Sequence, residues 1–75
     1  MTQKHKSNIS GKNIKSIRQK NKIKQEDLAV KLQLEGFPMT TSTISKIESK
    51  DRSVTDKELL AFSKVLHVGL DDLVS

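Results

Sequence analysis

The stretch QEDLAVKLQLEGFPMTTSTISKIE, residues 25–48, contains two helical patterns separated by a break. In the first pattern, Leu28, Leu32 and Glu35 follow each other at the spacing of one helix face. Residues at this spacing share one face of a helix, which the two leucines would bury. The pattern therefore predicts a helix from about Gln25 to Leu34 or Glu35. Acidic residues in the first turn, where the helix dipole favours negative charge, support that beginning.

The break between the two patterns is the segment Gly36-Phe37-Pro38. Glycine accommodates the turn that ends a helix and proline cannot continue one, so the chain must leave the first helix here. Thr40 is then a suitable N-cap for a short second helix, about Thr41 to Ser49. Its apolar positions, which we expect to face inward, are Ile44 and Ile47.

One more helix is predicted before this stretch, from Ser10 to Asn21. Ile14 and Ile17 lie one turn apart there, with Lys and Arg around the rest of the surface. Ser10 is a plausible N-cap, and Asn21 can adopt the left-handed conformation that stops a helix.

Two further helices are predicted after it. Thr55-Asp56-Lys57-Glu58 matches the S/T-x-x-E capping box that begins helices, and an apolar face then continues to about Leu66. His67 follows at a position where φ is often positive, and Gly69 can cap a last helix, Leu70 to Val74. With five helices and no strand, the predicted fold class is all-α.

Length and composition indicate one small intracellular domain. A chain of 75 residues makes a single domain, because a shorter piece could not bury its own core. It has no cysteine, which excludes disulfides and favours a reducing compartment. No apolar run approaches the roughly 20 residues of a membrane span, and no secretory leader is recognisable. We therefore expect a cytoplasmic protein without a membrane contact.

The positive charge is concentrated at one end of the chain. Residues 1–24 hold eight Lys or Arg and no acidic residue, whereas residues 25–75 hold six basic and nine acidic residues. Such asymmetry attracts polyanions to the basic end, although a solvated basic face would show the same pattern. Residues 1–9 are expected to be a flexible basic arm, and 10–75 the folded domain. The arm, with Lys4 and Lys6, either stays disordered or reaches a DNA minor groove.

The sequence offers little for catalysis. His5 and His67 lie near opposite ends of the chain, and no nucleophile, metal-ligand or phosphate-loop motif is present. We therefore predict no enzymatic activity, no cofactor and no metal.

The outer face of the helix at about 41–49 carries groups suited to base edges. Removing the inward isoleucines leaves Thr41, Ser42, Ser45 and Lys46. Hydroxyls donate or accept hydrogen bonds, and a lysine can pair with guanine O6 and N7 in the major groove. A polar, solvated helix surface would have the same composition.

At this point the chain resembles the Cro/lambda-repressor-like (XRE-type) helix-turn-helix regulators. The resemblance rests on Gln25-Glu26-Asp27-Leu28-Ala29 followed by Thr43-Ile44-Ser45-Lys46-Ile47-Glu48, and it covers roughly residues 9–74. It implies a compact five-helix bundle that binds double-stranded DNA, with the helix at about 41–49 in the major groove.

The resemblance also implies roles for individual residues. Thr41, Ser42 and Lys46 would face base edges, with Ser45 close to a base or the backbone. Arg18 and Glu48 occupy positions where relatives form an ion pair between the first and third helices. The residues that would hold phosphates are Gln25, Ser49, Lys50 and Arg52.

Three expectations follow from the resemblance and its departures. The first is a transcriptional repressor that binds an inverted-repeat operator as a homodimer, through contacts around Leu70 to Val74 and the end of the fourth helix. The alternative is an antitoxin or adaptor that uses the same fold on a protein partner. The Val30–Met39 connection is longer than in relatives, so an extra turn of helix and a Phe37 or Met39 plug are also expected.

Overall fold

The computed structural model describes residues 3–74, with side chains from Ser10 to Val74. Within that range the chain forms five helices and no strand, which confirms the predicted all-α class. None of these helices combines the length and the apolar character needed to cross a bilayer. Their bounds are α1 (Gln3–Lys20), α2 (Gln25–Leu34), α3 (Thr41–Glu48), α4 (Asp56–Leu66) and α5 (Leu70–Val74).

A single core lies where the five helices meet. Phe62 of α4 is fully buried, and side chains of every other helix pack around it. Each large aliphatic side chain buried in this way contributes about 1.5–3 kcal/mol relative to leaving it exposed. The predicted inward positions are buried, or half-buried at Ile17, with one exception: Glu35 is exposed, because α2 ends at Leu34 and the Glu35 carboxylate reaches Lys64 Nζ at 4.0 Å instead. The fully buried aliphatic residues are Ile14, Leu28, Leu32, Ile44, Ile47 and Leu73.

The first helix begins earlier than predicted. α1 starts at Gln3, so Ser10 is not its N-cap but a fully buried residue in its middle. No proline or glycine precedes Gly11, and Gln and Lys are good helix formers, so nothing local stops the helix at Ser10. The flexibility expected for residues 1–9 stays a prediction, and residues 1 and 2 lie outside the described part of the chain.

Four of the helices end in the same turn. In each, a residue within two positions of the last helical residue has positive φ: Lys22, Gly36, Lys50 and His67. At α1 the amide of Lys22 donates to the Gln19 carbonyl and that of Ile23 donates to the Arg18 carbonyl, the paired bonds of a Schellman motif. The left-handed prediction is confirmed at His67 but wrong at Asn21, whose side chain instead donates to the Ile17 carbonyl while Lys22 takes the positive φ.

The predicted helix beginnings of α3 and α4 are confirmed. The Thr40 hydroxyl accepts from the Thr43 amide at 3.1 Å. Thr55 and Glu58 form both bonds of the capping box, since each side chain accepts from the other residue's backbone amide. These bonds satisfy amides that the helices themselves leave without a partner.

The long connection between α2 and α3 is anchored to the core. Gly36 has φ of 87°, and Phe37 and Met39 are half-buried against the core cluster, as the plug prediction expected. The extra residues therefore do not leave α3 loosely attached.

α1 approaches α3 closely at Gly11. A Cβ at this position would lie 2.1 Å from the carbonyl oxygen of Ile47, in the last turn of α3. Because that neighbour is backbone, it cannot move aside as the end of a flexible side chain can. Gly11 therefore sets how closely α1 packs against α3.

We expect Gly11→Ala to destabilise the protein by about 2 kcal/mol or more, although alanine ordinarily favours a helix interior over glycine. Urea denaturation followed by circular dichroism measures the change. Gly69→Ala is the matched control, because the nearest atom to its Cβ is Asp72 Oδ2 at 3.7 Å and stability should change little. Equal stability of Gly11→Ala and the unmodified protein would contradict the close approach.

Candidate nucleic-acid interface

One face of α3 is buried and the opposite face is exposed. Ile44 and Ile47 are fully buried. The four residues predicted to reach base edges, Thr41, Ser42, Ser45 and Lys46, are all exposed. The helix therefore presents three hydroxyls and one ammonium group to solvent along one side.

A buried ion pair fastens the last turn of α3 to α1. Arg18 Nε donates to Glu48 Oε2 at 2.7 Å, and Arg18 Nη2 donates to Glu48 Oε1 at 3.0 Å. Arg18 Nη1 also donates to the Ile23 carbonyl at 2.8 Å. Such a two-bond arrangement fixes the relative orientation of both groups. The structure thus places together the two residues that the resemblance paired.

Gln25, predicted to bind a phosphate, has one amide proton already engaged. Its Nε2 donates to Glu48 Oε1 at 3.0 Å. Glu48 therefore accepts bonds from both α1 and the first turn of α2. A primary amide carries two protons on nitrogen, so the second remains for another acceptor.

An open cleft of about 410 Å³ lies beside this cluster, between the beginnings of α2 and α3. Its lining joins a predicted phosphate contact, Gln25, to a predicted base contact, Thr41. Lys24 stands at the N-cap of α2 but makes no capping bond with its side chain. Free amides at a helix beginning, with a cation beside them, suit a phosphate group. The remaining lining residues are Arg18 and Glu26.

The predicted phosphate contacts beyond α3 differ in how free they are. Lys50 is exposed and has φ of 69°. Ser49 Oγ lies 2.9 Å from Asp51 Oδ2 and 3.2 Å from the Lys46 carbonyl, either of which accepts its proton. Asp51 therefore brings a negative charge to the place where a phosphate was predicted, so the structure favours Lys50 over Ser49 as a candidate for a phosphate contact.

Arg52 is held by a carboxylate of the fold. Its Nη1 and Nη2 donate to the two oxygens of Glu58 at 3.1 and 2.9 Å. The hydrogen bonds from Arg52 hold the pKa of the Glu58 carboxyl below its ordinary value, and those to Glu58 raise the pKa of Arg52. A phosphate would have to compete with this pair for the Arg52 guanidinium.

Three residues of this surface were missed from the sequence: Lys24, Asp51 and Glu58. Lys24 could have been found, since a cation at a helix beginning without a capping side chain is visible in the sequence. The pairing of Arg52 with Glu58 has no comparable signal, because it depends on how the loop after α3 returns to α4.

Comparison with known proteins agrees with this arrangement. The helix-turn-helix family matches residues 14–73, from within α1 to within α5. The chain belongs to this family, the Cro/lambda-repressor-like (XRE-type) helix-turn-helix proteins, which are DNA-binding transcription regulators and generally not enzymes. Searches of curated proteins and of solved structures gave no match. Among the described residues, no group of His, Cys, Asp or Glu is arranged to hold a metal ion.

The lowered pKa of Glu58 makes a pH dependence predictable. Since the folded state holds this proton less tightly than the unfolded chain does, the stabilisation is complete above the ordinary glutamate pKa. It is lost as the pH falls through the lower folded value. We expect Glu58→Gln to lower the free energy of unfolding by about 1 kcal/mol at neutral pH, typical of a partly exposed ion pair.

The difference between Glu58→Gln and the unmodified protein should shrink as the pH falls through the folded-state pKa of Glu58, because the protonated carboxyl is then uncharged like the amide. Urea denaturation across this range measures it. Glu26→Gln, at an exposed glutamate of α2, is the control. A difference that stays constant with pH would show that the Arg52–Glu58 pair does not stabilise the folded state.

Proposed function

We propose that this protein is a sequence-specific transcriptional repressor that inserts α3 into the DNA major groove. The observation that carries the proposal is the contrast between the two faces of α3. One face is packed against the core and held to Arg18 of α1 through Glu48, while the other presents the hydroxyls of Thr41, Ser42 and Ser45 with Lys46. A helix that is rigidly held and polar outward is what reading of base edges requires.

Phosphate contacts on both sides of α3 would fix its position on the duplex. Lys24 and Gln25 lie at the cleft before α3, and Lys50 follows the helix. Such contacts carry most of the affinity and make it depend on salt, whereas the base contacts carry the selectivity. Repression needs only that the bound protein occupies a promoter.

A homodimer on an inverted repeat is the second part of the proposal. Leu60 and Leu70 are 50% and 41% exposed, unusually open for leucines, and they share a shallow groove with the half-buried Val74. Asp56 and Leu59 also line the groove. An exposed apolar patch suits a two-fold contact, in which the same surface meets itself.

Selection of duplexes from a randomised DNA pool tests the function. We expect the protein to enrich a motif of two inverted half-sites about one helical turn apart. Lys46→Ala should relax the preference at one base pair per half-site, a loss of about 1–3 kcal/mol of discrimination. Lys31→Ala, at an exposed lysine of α2, should leave the motif unchanged. Salt-sensitive binding without any enriched motif would refute sequence-specific regulation and favour the alternative of a protein partner.

Leu70→Gln tests the dimer. It should lower the affinity for the complete inverted repeat by about tenfold or more while leaving the affinity for an isolated half-site unchanged. Leu34→Gln is the matched control, because Leu34 is 82% exposed on α2, outside the groove. Sedimentation and gel-shift titrations measure both effects. One protein molecule per operator would contradict the dimer.

A further inference from the structure

We propose that Glu48 is a positioning residue for DNA binding, which orients the amide of Gln25 towards a phosphate in the cleft before α3. The inference rests on the proposed function and adds a role to a carboxylate that itself does not reach the DNA. Glu48 is only 6% exposed, so any effect it has on the DNA passes through another side chain.

The orientation of the Gln25 amide follows from the charge of its partner. An ionised carboxylate only accepts hydrogen bonds, so the nitrogen of the amide, and not its oxygen, must face Glu48. Nε2 lies 3.0 Å from Glu48 Oε1. The second proton on Nε2 is left for the cleft that Gln25 lines with Lys24 and Thr41.

Arg18 keeps Glu48 in the position that this role needs. It donates to both carboxylate oxygens, and its own third bond goes to the Ile23 carbonyl in the turn before α2. A bidentate guanidinium fixes the plane of the carboxylate. Gln25 therefore receives an acceptor whose position is set by α1 and α3 before any DNA is present.

A fixed amide binds a phosphate better than a free one. An unrestrained glutamine amide rotates, and in one of its two orientations its oxygen would face the phosphate and repel it. Holding the donor in place also removes the cost of ordering a flexible side chain on binding. Glu48 thus converts a half-buried glutamine into a prearranged donor, although glutamine carries no charge.

Duplexes with one neutral methylphosphonate in place of a phosphate test the inference. They are built on the motif that the unmodified protein selects. We expect several positions at which neutralisation weakens binding, and at the position that Gln25 contacts the loss should be about tenfold, the loss of a hydrogen bond to a charged group. In Gln25→Ala the same replacement should weaken binding clearly less, whereas Gln19→Ala, at an exposed glutamine of α1, should respond as the unmodified protein does.

The role of Glu48 is tested in the double variant Arg18→Met/Glu48→Met, which removes both charges and the acceptor for Gln25 and so leaves no buried ion unpaired. In this double variant, as in Gln25→Ala, the methylphosphonate should weaken binding clearly less than in the unmodified protein. Adding Gln25→Ala to the double variant should cause no further loss of that effect. Unmodified affinity in Gln25→Ala would overturn the inference while leaving the proposed function intact. So would a double variant that keeps the full phosphate effect.

A measurement on the unmodified protein covers the case in which the double variant does not fold. In NMR spectra of the Gln25 side-chain amide, the proton bonded to Glu48 should keep its chemical shift when DNA is added, and the other proton should move downfield. Movement of neither proton, or of both alike, would overturn the inference. A protein that binds no duplex would instead remove the proposed function and this inference with it.

Discussion

The arrangement of the three helices around the interface depends on one buried carboxylate. Glu48, in the last turn of α3, accepts from Arg18 of α1 and from Gln25 of α2, and Arg18 extends the network to the carbonyl of Ile23. Breaking such a cluster by removing one partner is costly, because it leaves a charge buried without compensation. At the same end of α3, Gly11 lets α1 approach the Ile47 carbonyl more closely than any side chain would permit. Polar bonds and close backbone packing therefore fix the same turn of the helix.

The sequence predicted helices well where apolar spacing and capping residues determine them. Thr40, Thr55 and Glu58 cap as expected, since capping depends on residues only three positions apart. The residues at which helices end were harder to predict from the sequence. Lys22 and Lys50 adopt the left-handed conformation, although lysine has no preference for it, because the paired backbone bonds of the turn and the packing after it compensate. The early beginning of α1 was not predicted, because no local sequence signal marks where a polar helix begins.

The candidate site was predicted in composition, but of its side-chain pairings only Arg18–Glu48 was expected, from the resemblance. Exposure of the outer face of α3 follows from periodicity, and the structure agrees with it at each of its four residues. Which polar groups are already engaged cannot be read in this way, because it depends on contacts between residues far apart in the chain. Gln25 lies 23 positions from its acceptor Glu48. Arg52 lies only six positions from Glu58, yet that contact too depends on the path of an irregular loop.

The pairing of both arginines changes the electrostatic character of the proposed interface. Arg18 and Arg52 are the only arginines of the chain, and each is held by a carboxylate of the fold. The exposed cations around α3 are therefore lysines, which act as point charges and lack the planar pair of donors with which arginine matches guanine or phosphate. On the proposed function, geometric selectivity would then come from fixed hydroxyls and from the Gln25 amide, with lysines supplying attraction that is less directional. Rigid attachment of α3 matters more in such an interface, because short hydroxyl side chains have little reach with which to correct a misplaced helix.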